Sequence, residues 1–585
     1  MNREIVVGIL REVAALLEIR GENPFRVRAY ENAARTLEGL TEEPQDLIES
    51  GALGEVRGIG PGLAGAIAEI VQTGKLQLHQ DLRAEVPPGL LDLFRVGGLG
   101  AKKIRRLHAE LGVASLADLE RACREGRVAE LAGFGPKTQA KILEALAHLQ
   151  EYGQRHLISE ARATAERLLR QLRESPAVTR AEIAGSLRRC RETIGDLDFV
   201  AAVAAADRAE VARHFERAPG VDRVLGSGDT KVSVVIVGGF QVDLRMVEDG
   251  EFASALHHFT GSKEHNVLIR SRAKHDGLTV NEYGVFRGDR RLAADSEEAL
   301  YRRLGLDWIP PELREGLDEI ELAERHELPR LLEPGDLAGT FHVHTTWSDG
   351  TATVDQMAAA ARKLGWRYLG IADHSKTAAY ARGLTPEQVA EQWAELERWQ
   401  GGAPGFRLFR GTECDVLVDG GLDFGDELLC GFDFVVASVH SRFTLPRAAM
   451  TERLVRAVSH PAVTFLGHPT GRLLLAREGY DLDLDAVLDA AFENGVVVEV
   501  NASPHRLDLD WRPLRGWLRR GGLTSINPDA HSTGGLADVE YGVGIARKAG
   551  AEAAQVVNTW PVERVSSFFE ERRERARRLL GADPT

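Results

Sequence analysis

Nine residues with metal-ligand chemistry recur in one kind of place in the second half of this chain: His342, His344, Asp349, His374, Glu413, His440, His468, Asp529 and His531. Apolar runs rich in β-branched residues lead into nearly all of them, as residues 368–372 lead into Asp373-His374 and residues 434–439 into His440. Imidazoles and carboxylates at the C-terminal ends of strands sit on the face where barrel enzymes gather their chemistry. A single histidine there is more often a packed or capping residue. Nine in a repeated context make a metal cluster, and a metal cluster in such a mouth points to hydrolysis. Mixed nitrogen and oxygen donors suit zinc, manganese or iron better than magnesium.

A second set of acids lies earlier. Asp196-Leu197-Asp198 follows Gly185-Ser186-Leu187-Arg188-Arg189 at short range. Strand alternation puts both carboxylates on one face, where they would repel each other unless a divalent cation lay between them. Asp243, beyond the strand-like run 231–237, is the best third carboxylate. Such a triad could hold two metal ions roughly 3.5–4 Å apart, activate a 3′-hydroxyl and stabilise leaving pyrophosphate. Gly185, Ser186 and Arg189 would hold the triphosphate through amides, a hydroxyl and a guanidinium. An isolated Asp-x-Asp is a weak signal; the Gly-Ser-x-Arg-Arg before it makes the pair catalytic.

These groups need scaffolds. Seven apolar runs end near His344, His374, Glu413, His440, His468, Asn501 and His531, with helical stretches between several of them. That rhythm predicts a (β/α)7-type barrel. The first 150 residues read as capped helices, in which a Gly-hydrophobic-Gly turn recurs as Gly58-Ile59-Gly60, Gly98-Leu99-Gly100 and Gly133-Phe134-Gly135. The amides that open the following helix would grip phosphate without reading bases. With 585 residues, 43% hydrophobic and 28% charged, the chain is expected to be a folded multidomain protein. Four cysteines without CxxC spacing argue against a zinc ribbon or disulfide framework. No signal peptide or membrane span is read, so a cytoplasmic protein is expected. The net charge of −15 argues mildly against a nucleic-acid binder, although metal-site carboxylates contribute to it.

The palm segment resembles that of family X DNA polymerases, within the nucleotidyltransferase superfamily. The resemblance extends to His258-Phe259-Thr260-Gly261-Ser262-Lys263, which is similar to the family's nucleotide pocket. It implies that Phe259 lies beside the sugar, Gly261 allows close approach, Ser262 belongs to the pocket, Asn266 reaches the base edge and Arg270 lies near the template. The chain departs from the eukaryotic pattern at His258, where Tyr is usual, at Lys263, which replaces an acid, and at Gln241, where Arg is common. Gly62 and Ala66 stand where a lyase lysine would be, so Schiff-base lyase activity is not expected from that site. The three glycine turns resemble helix-hairpin-helix motifs.

The second half resembles the polymerase and histidinol phosphatase (PHP) domain through His342-x-His344, Ser348-Asp349-Gly350, Asp373-His374, Gly467-His468-Pro469 and Asp529-x-His531. The resemblance implies three metals. His342, His344, Glu413 and Asp529 would hold one, Glu413, His440 and His468 a second, and Asp349, His374 and His531 would complete the third. Asp373 and Glu499 read as partners that orient ligands, and Arg472 as either a phosphate contact or a surface arginine.

The expected order is 1–85, a helical domain with the first helix-hairpin-helix; 86–150, a fingers-like region with two more; 151–257, the α+β nucleotidyltransferase palm; 258–315, a thumb-like nucleotide-pocket region; 316–337, an acidic linker; and 338–575, the PHP barrel. Together they imply a template-dependent gap-filling repair polymerase with a 3′–5′ exonuclease. Mg2+ or Mn2+ is expected at the palm and Mn2+ or Zn2+ at the barrel. The expected partners are gapped or primer–template DNA and dNTPs, with the protein a monomer. In relatives the hydrolytic domain can also remove 3′-phosphates or cut at abasic sites. A 3′-end-processing nuclease and a small-molecule phosphatase are the rival readings.

Overall fold

The computed structural model describes residues 3–39, 44–49, 52–56, 59–87, 89–96, 99–152, 155–402 and 405–581. They fall into two compact units, Met1–Gly153 and Gln154–Thr585. Gly58 and Gly98 lie outside the described residues.

The first unit is helical throughout its described residues. Its helix Arg3–Arg20 buries Val6, Leu10, Val13 and Leu17, the stripe of a 3.6-residue period. Ile59, Leu99 and Phe134, the middle residues of the glycine turns, are all buried. Each donates its N–H to the carbonyl three residues back, on Val56, Val96 and Leu131, at 3.0, 3.1 and 3.0 Å. One bond pattern thus fixes three copies of the turn ahead of helices Pro61–Thr73, Ala101–Leu111 and Pro136–Tyr152. Gly60 and Gly100 begin the first two helices without a side-chain cap, which leaves helix-start amides for an anion. Gly135 sits at φ +107°, where a side chain would be strained. Among the described residues, a Cβ at Gly60, Gly100 or Gly135 would meet nothing within 4 Å, which leaves these positions clear for a ligand.

The second unit opens with a five-stranded sheet of β1 (Val178–Ile183), β2 (Asp196–Val203), β3 (Val221–Ser227), β4 (Lys231–Ile236) and β5 (Gln241–Val247), in the order β1-β2-β5-β4-β3. Only β2 and β5 run parallel. Helices Phe252–Thr260 and Lys263–His275 follow, then a three-stranded meander of β6 (Thr279–Asn281), β7 (Gly284–Arg287) and β8 (Arg290–Leu292).

The acidic segment 316–337, expected as a linker, is folded. Its helix Glu319–Arg325 sends Ile320 and Ala323 into a core shared with Ile269, Leu300 and Tyr301. Glu319 is itself buried, accepting from the N–H groups of Gly316 at 2.8 Å and Leu317 at 2.7 Å and pairing with His265 at 2.8 Å. The run of acids hid an amphipathic helix whose first acid is an internal anchor.

The barrel comprises β9 (Gly339–Thr340), β10 (Tyr368–Ile371), β11 (Arg407–Asp415), β12 (Phe434–Ser438), β13 (Phe465–Leu466), β14 (Val497–Asn501) and β15 (Thr524–Asn527). All seven pair in parallel in sequence order. A bridge between Val343 and Ala530 joins first to last, with His344 N–H donating to the Ala530 carbonyl at 2.9 Å. The far end is plugged by Phe341, Tyr368, Phe409, Phe434 and Phe465 around Phe569 of the helix Val562–Leu580. That helix runs past the expected boundary at 575. One end of the barrel is therefore dry and rigid, and the other carries the ligands.

Candidate metal centres

In the palm, the parallel pairing of β2 with β5 sets Asp198 directly opposite Asp243 and Asp196 opposite Gln241. The expected triad is thus assembled on two adjacent strands. Burial, with the Asp196 and Asp243 carboxylates, pushes Asp198 up to about 7. Burial also opposes the charge on Asp243, but Lys231, 2.7 Å away, and bonds from Ser233 and Gln241 hold it below the usual range. A cation would relieve the repulsion around Asp198, so the residues fit a metal. Gly185, at φ +60°, is required here, because a Cβ would lie 2.1 Å from the Asp198 carboxylate. Because a proton and a cation compete for Asp198, Mg2+ affinity at the palm should weaken as pH falls below about 7. Titrating the Mg2+ dependence of extension across pH checks this.

The structure brings the residues expected at the nucleotide pocket to one corner. Phe259 packs against His258, ring centroids 5.0 Å apart, and under Arg245 at 4.8 Å. Ser262 caps the helix Lys263–His275 by accepting from the His265 N–H at 3.1 Å, and Asn266 donates to the His258 carbonyl at 2.8 Å. Lys263 and Arg270 are exposed, and Arg270 stands one helical turn beyond Asn266. Gly261 abuts Arg189: a Cβ there would lie 3.1 Å from the guanidinium.

Arg189 departs from its expected role. Its side chain is 13% exposed and binds Glu315 at 3.1 Å and the Thr260 carbonyl, while Lys548 donates to its backbone carbonyl at 3.0 Å. Its guanidinium is thus engaged by protein groups that tie palm, thumb and barrel together; Ser186 remains beside Gly185 in the turn.

At the barrel mouth all nine expected residues converge. Glu413, fully buried, lies 3.3 Å from His342, 3.5 Å from His344, 2.9 Å from His374, 3.1 Å from His440 and 2.9 Å from His468. Asp529 is 3.1 Å from His344, and Asp349 is 3.3 Å from His531 and 3.6 Å from His374. Three groups have ligand atoms close enough to share an ion: His342, His344, Glu413 and Asp529; His344, Asp349, His374 and His531; and His374, Glu413 and His440. The first matches the expected partition. In the others His344 and His374 are shared more widely, and His468, which belongs to none of the three groups, meets Glu413 through Nε2. His342 Nε2, both nitrogens of His344, His374 Nδ1 and Glu413 Oε2 are buried without a hydrogen-bond partner. Buried, unpartnered ligand atoms within these groups are what a metal site requires. His468 and Asp529 hold positive φ, +26° and +53°, and such strain is typical of functional positions.

The neighbours fix which nitrogen faces inward. His342 Nδ1 pairs with Glu499 at 2.7 Å, and Glu499 also accepts from the His468 N–H at 3.1 Å and from Asn501 and Asn527 at 3.0 Å each. His531 Nδ1 meets the Asp529 carbonyl at 2.9 Å. Asp373 accepts from Thr345, Ser348 and Gln392, so it braces the loop and is not a ligand.

Across the whole chain, a protein of Bacillus subtilis (strain 168) named DNA polymerase/3′-5′ exonuclease PolX is 38% identical over 573 residues, 97% of this chain and 99% of the relative. The chain belongs to the family X DNA polymerases that carry a PHP domain. Parts of it match four domain families: a helix-hairpin-helix domain at residues 1–76, a SAM-like helix-hairpin-helix tandem at 90–147, the DNA polymerase beta thumb at 255–315 and the PHP domain at 340–503. A stretch of the chain also resembles proteins named probable phosphatase YcdX from Shigella dysenteriae and Escherichia coli K12. Each is 23% identical over 244 residues, 40% of this chain and 94% of the relative.

Three residues of this family X chain escaped the sequence reading. Asp415 pairs with His440 Nδ1 and turns Nε2 inward; its spacing of two from Glu413 on β11 was a usable signal. Lys231 reaches Asp243 from the neighbouring strand. Arg506, 3.6 Å from Asp529, lies in an irregular segment that no pattern marks. Arg472 is largely covered and not a free surface arginine: it binds Asp510 at 2.8 Å and the Arg506 carbonyl at 2.9 Å.

Burial alone would depress His440, yet Glu413 and Asp415 carry it up to about 10, and Asp349 and Asp529 carry the half-exposed His531 to about 9. Metal loading should therefore release protons, and affinity should drop as pH is lowered from about 8 to about 6. Calorimetry in buffers of different ionisation enthalpy reads the proton count. Glu499→Gln should weaken metal retention by roughly 10–100-fold without changing the ligand set, as metal content after dialysis would show.

Proposed function

We propose that this polymerase fills short gaps in duplex DNA at the palm and degrades 3′ ends at the barrel. The helix-hairpin-helix turns hold the DNA backbone without sequence preference. The observation that carries the reading is the presence of two separate ligand sets in one chain: Asp198 opposite Asp243 in register, and the nine converging residues of the barrel. In this reading Asp196, Asp198 and Asp243 hold Mg2+ or Mn2+, and the barrel residues hold Mn2+ or Zn2+. Bound divalent cations supply Lewis acidity, activating the attacking oxygen and neutralising charge on the phosphate.

The chain's own groups do the rest. Gly185 leaves room beside Asp198, Phe259 and Gly261 border the incoming sugar, Asn266 faces the base edge, and Arg270 lies on the template side. In the barrel, Glu499 and Asp415 hold imidazoles in one tautomer, and Arg506 offers a guanidinium to a phosphate oxygen. The chain's likeness to relatives named probable phosphatases favours one extension, removal of a terminal 3′-phosphate.

A gapped, 5′-labelled primer–template assayed with Mg2+ or Mn2+, with and without dNTPs, tests the reading. Extension to fill the gap with dNTPs and shortening without them are expected, and chelation should stop both. Shortening without extension under any metal would leave an end-processing nuclease. Neither reaction, with turnover of small phosphate esters, would overturn the DNA reading.

A further inference from the structure

We propose that Tyr380 forms a nucleobase-stacking subsite at the mouth of the barrel centre, so that the hydrolytic site holds a nucleoside as well as a phosphate. The inference rests on the nuclease reading of that centre. Tyr380 is 69% exposed, yet its ring centroid lies 6.1 Å from His374 and 6.2 Å from His440, at interplanar angles of 61° and 69°. It belongs to none of the ligand groups. A ring that meets both imidazoles at steep angles and is open to solvent leaves a face for a base next to the position of the phosphate.

A single exposed aromatic is ordinary. This one is held in place. It sits on the short turn Ala379–Ala381, ended by Arg382 at φ +56°. The turn is anchored before and after: the Thr377 N–H donates to Asp423 at 2.7 Å, and the Leu384 N–H to the His374 carbonyl at 2.8 Å. Gly383 packs so tightly that a Cβ would lie 1.8 Å from the Ser375 carbonyl oxygen. The ring is thus pre-positioned against the same residue, His374, that joins two of the ligand groups. Every base has a π-face, so stacking suits an enzyme that must accept any 3′-terminal nucleotide. A phosphatase for small aliphatic esters has no use for such a ring.

The test uses the full-length chain loaded with Mn2+. Tyr380→Ala should raise KM for 3′ degradation of a single-stranded oligonucleotide by about 10–100-fold with kcat changed little, and Tyr380→Phe should restore it. A second readout is independent of nuclease activity: calorimetric binding of dAMP against inorganic phosphate, with Asp196 and Asp198 replaced by Asn to silence the palm. dAMP should bind more tightly than phosphate, and Tyr380→Ala should erase that preference while leaving phosphate binding unchanged. If Tyr380→Ala degrades oligonucleotide like the wild type, or weakens dAMP and phosphate equally, the subsite is wrong. If the wild type degrades no DNA but shows the dAMP preference and loses it in Tyr380→Ala, the subsite stands and the exonuclease reading falls.

Discussion

Asp196→Asn combined with Asp198→Asn should reduce nucleotide addition by about 10³-fold or more, while 3′ degradation stays within about twofold of wild type. The size follows from removing two of the three carboxylates proposed to hold a charge-stabilising metal site worth several kcal/mol, at tenfold per 1.36 kcal/mol. The selectivity follows from the architecture: the triad lies on β2 and β5 of the palm, and no residue of it contributes to the barrel groups. Folding should survive. Asp198 is pushed up to about 7 by burial and by like charge from Asp196 and Asp243, so an amide relieves repulsion in the metal-free protein. Thermal melting without metal should shift up or not at all. Primer extension and degradation on one gel, beside that melt, separate loss of chemistry from loss of structure. Equal loss of both reactions would mean that the two centres are not independent.

Glu413→Gln should produce the converse: metal content of the barrel collapses, degradation falls by about 10³-fold, and extension is retained. Glu413 is within 2.9–3.5 Å of five imidazoles, so no other substitution removes so many links. It is also the leading anion that carries His440 up to about 10. Its neutralisation leaves buried positive charge uncompensated in the apo state, a loss of about 3–5 kcal/mol by analogy with broken buried pairs. A rim variant distinguishes weakened ligation from unfolding. His531 is 39% exposed, so His531→Ala should lower metal content by part of the full complement without a matching fall in melting temperature. Metal analysis of both proteins after gel filtration, with extension as internal control, is the measurement. Full degradation by metal-loaded Glu413→Gln would remove Glu413 from the centre.

The sequence by itself determined whatever consecutive residues encode. Alternation placed Asp196 and Asp198 on one face of a strand, and the βα rhythm announced seven strands with ligands at their ends. The repeated glycine turn announced three copies of one hairpin, of which Gly58 and Gly98 lie outside the described residues. Such signals are local because strand and helix periods are properties of neighbouring positions.

Only the tertiary structure decided which charges meet. Arg189 finds Glu315 at a sequence separation of 126 and is approached by Lys548 at 359, so a guanidinium that looked free for a triphosphate became an interdomain tie. Arg472 was taken by Asp510 in the same way. Glu319, one acid in an acidic run, became an internal anchor because His265 and two amides converge on it. Asp198 owes its raised pKa first to burial and then to Asp196 and Asp243, and neither that burial nor the register that brings Asp243 opposite is disclosed by any spacing. Long polar side chains can satisfy themselves with many partners. Which partner each takes depends on packing between distant segments, and that choice settles whether a charge supports the fold or faces the substrate.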